Sequence, residues 1–585
     1  MIYKNQKIIN QIEKYLLEFL NQNFEIELKV INLEIPPELE MGDLAFSCFD
    51  LGRQLHQNPV EIASEIANKF PDSEFVSQIK NVGPYVNLFL KKDIFSKELI
   101  GDIINQKANY GRGENKKEKI MLEGFGQPNT HKAFHIGHLR NVFLSESVAN
   151  LFEFSGYKTI RANYYGDVGA HIAVWLWYFM KYVEDKDAIL KYSINKVDAK
   201  LSQRFADIYT QAKNKIEEVE TAQDEISQIL QQLESGGKEI TKLWKKTMGL
   251  SLADFKRIYK LLKINFDKEF FESEVEKPGK KIVQQLREKN IAIESDGAII
   301  VDLEKYDLGV LLVLKSDGTS LYSTKDLALA DLKFRKYKID RSIYVVDVRQ
   351  GLYFKQIFKT LELMGFKQAN KCYHLSYGFV KLKDGAMASR KGNVILAQDL
   401  YDKIFDNIKN EIVERENVDS KNVNEIATKI TIGALKFEML KYTPESNITF
   451  DWQKALKTEG DTGPYLQYAY ARINSIKDKN LKKQRLSLAK IDFSLLNGEE
   501  EWMLIRALSE FSKIIFNATT NYNPATLVNY LLNLSSSFNK FYAECSVIKA
   551  ESESLKLARL ALIESVGIVL ENGLRILGIE VVKKM

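Results

Sequence analysis

Residues 119–156 read KIMLEGFGQPNTHKAFHIGHLRNVFLSESVANLFEFSG, and this stretch decides the fold class. Ile120, Met121 and Leu122 form the short apolar run that a buried strand needs. A loop bearing Gly124, Gly126 and Pro128 follows, and then Leu139, Val142, Phe143, Leu151 and Phe152 recur at helical spacing until Gly156 ends the helix. Strand, loop and helix make half of a βαβ unit. Further strand candidates at 159–163, 342–346 and 373–379, separated by helical patterns, predict an α/β fold: a Rossmann-like parallel sheet with helices on both faces, suited to a nucleotide.

The loop carries unusual chemistry. Of six histidines in the chain, His131, His135, His138 and His171 fall in one short region. The spacing places His135 and His138 in the first helical turn, where unpaired N–H groups and the positive end of the helix dipole attract phosphate. Gly137 lets a flat purine or a phosphate approach the backbone, and Lys132 adds a cation. Two plainer readings stay open: a metal site drawing on His131, His135 and His138, and ordinary helix-start histidines. Other phosphate loops are absent, because Gly124-x-Gly126 lacks the third glycine of a dinucleotide fingerprint and no Gly-x-x-x-x-Gly-Lys-Ser/Thr occurs.

Working outward, 585 residues are too many for one core, and the pattern divides into four parts. Residues 1–113 mix helix with a strand at 82–90 and end in a Gly-, Asn- and Lys-rich connection. Residues 114–400 hold the sheet, with a charged helical insertion at about 180–290 whose faces should simply be exposed. Residues 401–458 connect, and 459–585 read as an all-helical bundle. The composition, 45% apolar and 28% charged, is that of a folded globular protein. No signal peptide or membrane-spanning run is visible, so a soluble cytoplasmic protein is expected. Cys48, Cys372 and Cys545 lie far apart and read as buried thiols rather than a disulfide or zinc framework. A net charge of +5 does not by itself select nucleic acid as a partner.

Pro128-Asn129-x-x-Lys132-x-x-His135-Ile136-Gly137-His138 resembles the HIGH signature of class I aminoacyl-tRNA synthetases in its arginyl form. Asn163-Tyr164-Tyr165-Gly166-Asp167-Val168-Gly169, then segments 294–298 and 316–319, then Tyr322-x-x-x-Asp326, follow in the order the arginyl-tRNA synthetases show, and the resemblance runs to Met585. It implies an ATP-dependent ligase that forms arginyl-adenylate, transfers arginine to tRNA(Arg), and releases pyrophosphate and AMP, with Mg2+ on the phosphates. The family's second signature, the KMSKS loop, is represented by Ala386-Met387-Ala388-Ser389-Arg390-Lys391-Gly392-Asn393. Neither lysine of that signature stands at its own position, which leaves Arg390 and Lys391 as the nearest cations and gives Lys132 a compensating role. Lys132, His135, Gly137, His138, Met387, Ser389, Arg390 and Lys391 are therefore the implied ATP site. Lys132, His135, His138, Arg390 and Lys391 are its expected fixed positive donors toward charge growing on the phosphates.

A guanidinium is a planar fork of donors and calls for a carboxylate acceptor. The resemblance assigns that part to Asp326, with Tyr322 packed or bonded beside it, Gln350 lining the pocket and Asn129 holding the α-amino end. The family carries a glutamate five positions before the residue matching Asn129; this chain has Gly124 there and Glu123 next to it. Either a one-residue bulge returns Glu123 to the pocket, or Asp326 stands alone. Tyr468, Arg472 and Tyr542 resemble parts of the family's anticodon-binding bundle, where exposed tyrosines stack on bases. Met585 resembles a terminus that approaches the anticodon loop, against the alternative of a disordered tail. The N-terminal segment resembles the domain that contacts the tRNA elbow, and a monomer is expected. The alternatives are a class I synthetase of another specificity, an inactive tRNA-binding paralogue, and a nucleotidylyltransferase that would not need the bundle.

Overall fold

The computed structural model describes residues 7–36, 38–383, 395–414, 422–481 and 487–585. Its central sheet has five strands: β1 (Lys119–Gly124), β2 (Lys158–Tyr165), β3 (Lys268–Phe271), β4 (Arg341–Asp347) and β5 (Cys372–Tyr377). They run in the order β5-β4-β1-β2-β3, all parallel. The chain winds outward one way from β1 through β2 to β3, and the other way from β4 to β5. The direction reverses between β1 and β4, and the crevice beyond the carboxyl ends of those strands is where open α/β sheets bind ligands. The N-terminus of α1, which follows β1, stands at this edge.

Helix α1 (Ile136–Phe154) lies against the sheet, with Leu139, Val142, Phe143, Val148 and Leu151 fully buried. Buried residues surround it on nearly every side, because helices of the C-terminal region cover the face turned away from the sheet. The contact with β1 is close: a Cβ at Gly124 would come within 2.0 Å of Ser145 Oγ.

Between β2 and β3 run the helices α2 (Ala170–Tyr182), α3 (Ala199–Glu218), α4 (Ala222–Ser235) and α5 (Lys238–Leu261), with a core of their own around Trp175, Trp177, Phe179 and Phe205. This insertion ends earlier than its charge pattern predicts. β3 pairs with β2 in the main sheet, and α6 (Glu272–Glu288) follows it. A four-residue strand gives almost no periodic signal, and α6 carries its charges on an outward face, so both look like insertion in the sequence. A three-stranded antiparallel sheet (Ile293–Ser295, Ala298–Asp302, Val310–Leu314) then precedes α7 (Tyr322–Tyr337), and α8 (Gly351–Leu363) lies between β4 and β5.

The N-terminal part is a four-stranded antiparallel sheet with helices, in which the strand expected at 82–90 is Tyr85–Leu90, one arm of a hairpin with Val76–Val82. The C-terminal part is helical, including α9 (Val423–Leu440), α10 (Gly463–Leu481), α11 (Pro524–Glu544) and α12 (Glu553–Ile576). The two ends of the chain meet: Trp502 Nε1 donates to Asp43 Oδ1 at 2.7 Å, and Asp43 Oδ2 accepts from the Leu90 amide at 2.8 Å. Of the thiols only Cys48 is buried, while Cys372 and Cys545 are half-buried. Among the described residues no helix is long and apolar enough to cross a membrane.

Candidate active site

His135 is the N-cap of α1, and its Nδ1 accepts from the Gly137 amide at 3.1 Å. The Nδ1 of His138 accepts from the His135 amide at 3.0 Å, and the two rings stack with centroids 3.7 Å apart. Burial, reinforced by the Lys132 ammonium, pushes His135 down to about 4. Burial, then His135 and Lys132, holds His138 well below the ordinary histidine range. Both rings are therefore neutral near pH 7. A backbone N–H can only donate, so each Nδ1 is the acceptor and each proton sits on Nε2. The expectation of two cationic donors is corrected to two neutral N–H donors, made so by desolvation. Gly137 leaves the first ring its space, since a Cβ there would come 3.0 Å from His135 Cε1.

His131 does not join them. Its ring is fully buried between the hydroxyls of Thr130, at 3.1 Å, and Thr247, at 2.8 Å, and stands edge-on to Trp175. It ties the loop to the insertion, and His171 Nε2 donates to the Gly166 carbonyl at 3.2 Å. Among the described residues no group of three or more His, Cys, Asp or Glu is placed to hold a metal ion. Asn129 bridges to Gly166 so closely that a Cβ on that glycine would lie 1.9 Å from Asn129 Oδ1. Lys132 opens into a cavity of about 450 Å³ between the sheet edge and the insertion, lined also by Tyr209, Lys213, Trp244, Glu272 and Tyr322. Burial and the neighbouring Lys213 both lower its proton affinity.

Glu123 and Asp326 form a second group of carboxylates, close to Glu272. In the loop after β1, Phe125, Gly126 and Gln127 are left-handed, with φ of 63°, 100° and 46°. Side chains hold these left-handed residues: Asn141 Oδ1 accepts from the Gly126 amide at 2.7 Å, and Tyr259 Oη donates to the Phe125 carbonyl at 2.7 Å. Gly124 thus faces α1, while Glu123 is buried on the opposite face of the sheet. Its Oε2 is 2.7 Å from Lys333 Nζ and its Oε1 accepts from Gln127 Nε2 at 3.1 Å.

Asp326 is the fifth residue of α7 and is bonded by a residue the sequence did not single out: Tyr353 Oη donates to its Oδ2 at 2.6 Å. Tyr322, expected in that role, is 55% exposed at the start of α7. Burial, against the Tyr353 bond and with Glu123 and Glu272 adding, pushes Asp326 up to about 7. Glu272 forms a buried ion pair with Lys325 at 2.7 Å. Gln350 is exposed in the turn Val348–Gln350, before α8. Met387, Ser389, Arg390 and Lys391 lie outside the described residues.

A family described as tRNA synthetases class I (R), catalytic domain, matches residues 99–452. The arginyl tRNA synthetase N terminal domain matches 6–90, and the DALR anticodon binding domain 466–585. The arginine–tRNA ligase of Clostridium acetobutylicum is 36% identical over 575 residues, 98% of this chain and all of that protein. The chain belongs to the arginyl-tRNA synthetases. The arginine–tRNA ligase of Bdellovibrio bacteriovorus is 36% identical over 552 residues, 94% of this chain and 93% of that protein. The solved Thermus thermophilus arginyl-tRNA synthetase shares the fold, with a TM-score of 0.80 and 24% identity over 99% of this chain and 100% of that one.

The arginyl-tRNA synthetase bundle brings three further sequence candidates together. Arg472 lies between Tyr468 and Tyr542, 4.8 and 5.3 Å from their ring centroids, and donates to Tyr468 Oη at 3.1 Å and Asn539 Oδ1 at 3.0 Å. Tyr542 is 39% exposed. Met585 ends a tail that is fastened rather than loose: Lys436 Nζ donates to the Gly578 carbonyl at 2.6 Å and Gln467 Nε2 to the Glu580 carbonyl at 2.7 Å, while Ile579 and Val582 are buried.

Proposed function

We propose that this arginyl-tRNA synthetase activates L-arginine at the switch point of its sheet, with the phosphates of Mg·ATP at the α1 N-terminus and the guanidinium at Asp326. The carrying observation is the His135–His138 pair, whose Nδ1 atoms accept from backbone N–H groups, which leaves the proton of each ring on Nε2 to be offered to phosphate oxygens. An oxygen of the arginine carboxylate attacks the α-phosphorus, pyrophosphate leaves, and charge grows on the phosphate oxygens. Preset donors cost no reorganisation at that moment. His135, His138 and Lys132 face that charge in this reading, Gly137 admits the nucleotide, and Met387, Ser389, Arg390 and Lys391 are the remaining ATP-binding residues that the family resemblance implies. ATP would enter as its Mg2+ complex, in which the ion would offset charge on the phosphates.

Asn129 takes the α-amino group, with Tyr322 and Gln350 beside the substrate. A ribose hydroxyl at the tRNA 3′ end then attacks the activated carbonyl and releases AMP. The Arg472–Tyr468–Tyr542 cluster and the Met585 tail meet the anticodon arm, and the N-terminal sheet meets the elbow. Cytoplasmic location and a monomeric state, with a solution mass near the 67.3 kDa of one chain, complete the proposal.

The test is ATP-dependent charging of total tRNA with each of the twenty amino acids. Arginine alone accepted is the expected result. Another amino acid accepted overturns the pocket assignment, and none accepted despite tRNA binding overturns catalysis in favour of an inactive tRNA-binding paralogue.

A further inference from the structure

Lys333 is fully buried in a catalytic domain whose other lysines mostly reach solvent, and it lies on α7 two turns beyond Asp326. Its ammonium is 2.7 Å from Glu123 Oε2 and 3.6 Å from the ring centroid of Tyr344 on β4. A cation this deep needs a reason, because desolvating a buried pair cancels much of its attraction. The reason lies in the count of charges around Asp326. Glu123 from β1 and Glu272 from α6 face it, and on its own helix so does Lys333. Tyr164 from β2, Tyr322 from α7, Tyr344 from β4 and Tyr353 from α8 complete the surroundings as neutral phenols, all raised above the ordinary tyrosine range by burial.

Glu272 is matched by Lys325 and Glu123 by Lys333. Among the described residues Asp326 has only a neutral hydrogen-bond partner, the Tyr353 hydroxyl. Without Lys333 the pocket would present two uncompensated carboxylates, Glu123 and Asp326, to one guanidinium, and like charges in a buried site oppose each other's ionisation.

We propose that Lys333 is a specificity-determining positioning residue: by holding and neutralising Glu123 it leaves Asp326 as the single uncompensated carboxylate, matched to the single charge of arginine. The residue touches no substrate. It sets the number of charges the pocket offers and keeps Glu123 on Gln127 and the loop after β1, away from the guanidinium. The inference rests on the placement of the guanidinium at Asp326.

The test compares Lys333→Met, Glu123→Gln and the double variant in arginine activation, measured as arginine- and ATP-dependent pyrophosphate exchange with tRNA present across pH 5.5–8.5. Lys333→Met removes a cation and exposes the charge of Glu123, so the acid limb of kcat/KM for arginine should move up by about one pH unit and the arginine KM should rise roughly tenfold. Glu123→Gln leaves Lys333 unmatched beside Asp326. Its limb should move down, while the arginine KM also rises through repulsion of the guanidinium.

The double variant removes both charges and should return the limb toward wild type. It also guards against misfolding, because a neutral pair leaves no lone buried ion. The ATP KM should stay within about twofold in all three, as expected for groups remote from the phosphate donors. Limbs that stay in place, or that move the same way in both single variants, overturn the proposal, because a merely structural lysine has no reason to reverse the sign. Asp326→Asn separates the two readings: an unchanged arginine KM there overturns the placement of the guanidinium itself, whatever the lysine variants show.

Discussion

His135 and His138 stand three residues apart and fix each other through the backbone of one helical turn, whereas Glu123, Asp326, Lys333 and Tyr353 reach their cluster from three elements spread along the chain. The two halves of the candidate site obey different physics. The phosphate half is local: a helix start supplies N–H groups, the side chains three apart share a face, and burial removes the imidazole charges. The arginine half is non-local and is a balance of charges that exists only once β1, α7 and α8 have packed together.

The sharpest test of the local half is His138→Ala. It deletes one preset donor and also frees the His135 amide that His138 Nδ1 caps. Activation should fall roughly 10²–10³-fold in kcat, the usual cost of one well-placed donor to transition-state charge. Pyrophosphate exchange with tRNA present measures it. A loss of less than about tenfold would show that the helix N-terminus and Lys132 suffice without the ring.

The non-local half answers to Asp326→Asn, an almost isosteric change that keeps a hydrogen-bonding group against Tyr353 but removes the charge. Because the lost partner is one side of a desolvated charge pair, kcat/KM for arginine should fall roughly thirtyfold or more, through KM, with the ATP KM unmoved. The same carboxyl sets a pH dependence. Asp326 titrates near 7, ionised above and protonated below, while arginine keeps its charge throughout, so kcat/KM for arginine should fall as pH drops below about 7. The histidines should add no limb of their own above pH 5, because His135 titrates near 4 and His138 lies well below its ordinary range. Asp326→Asn should flatten the limb; a limb that survives belongs to another group.

This contrast also explains what was legible beforehand. The parallel sheet, the helix that starts at His135, and the crowding of histidines follow from short-range pattern and resemblance. The neutrality of those histidines does not, because it depends on the depth of a pocket walled by distant segments. Tyr353 carried no signal: a tyrosine beginning an amphipathic helix looks like core, and only the fold brings its hydroxyl to Asp326. Tyr322, to which the resemblance points, is 55% exposed and lines the cavity beside Lys132. Counting from Glu123 to Asn129 leaves the path of the loop open, and its left-handed residues at Phe125, Gly126 and Gln127 are held by Asn141 and Tyr259, which no count reveals.

The smallest expected effect comes from the bundle, which mixes the two cases. Tyr468 and Arg472 are one helical turn apart, but Tyr542 joins them from another helix, α11. Within this cluster Arg472 is already engaged by Tyr468 and Asn539, so its side chain is preset rather than free. Tyr542 is the exposed edge of the cluster, and in the proposed reading an RNA base stacks on it. Tyr542→Ala should therefore cost about 1 kcal/mol of stacking, a rise of about fivefold in the tRNA KM, with the arginine and ATP KM values unchanged. Tyr468→Ala should cost more than Tyr542→Ala, because it also removes the hydroxyl that accepts from Arg472 and loosens the guanidinium. Equal losses from the two substitutions would mean that the rings act as independent platforms, and that the bundle reads RNA by exposure alone, without the preset arginine.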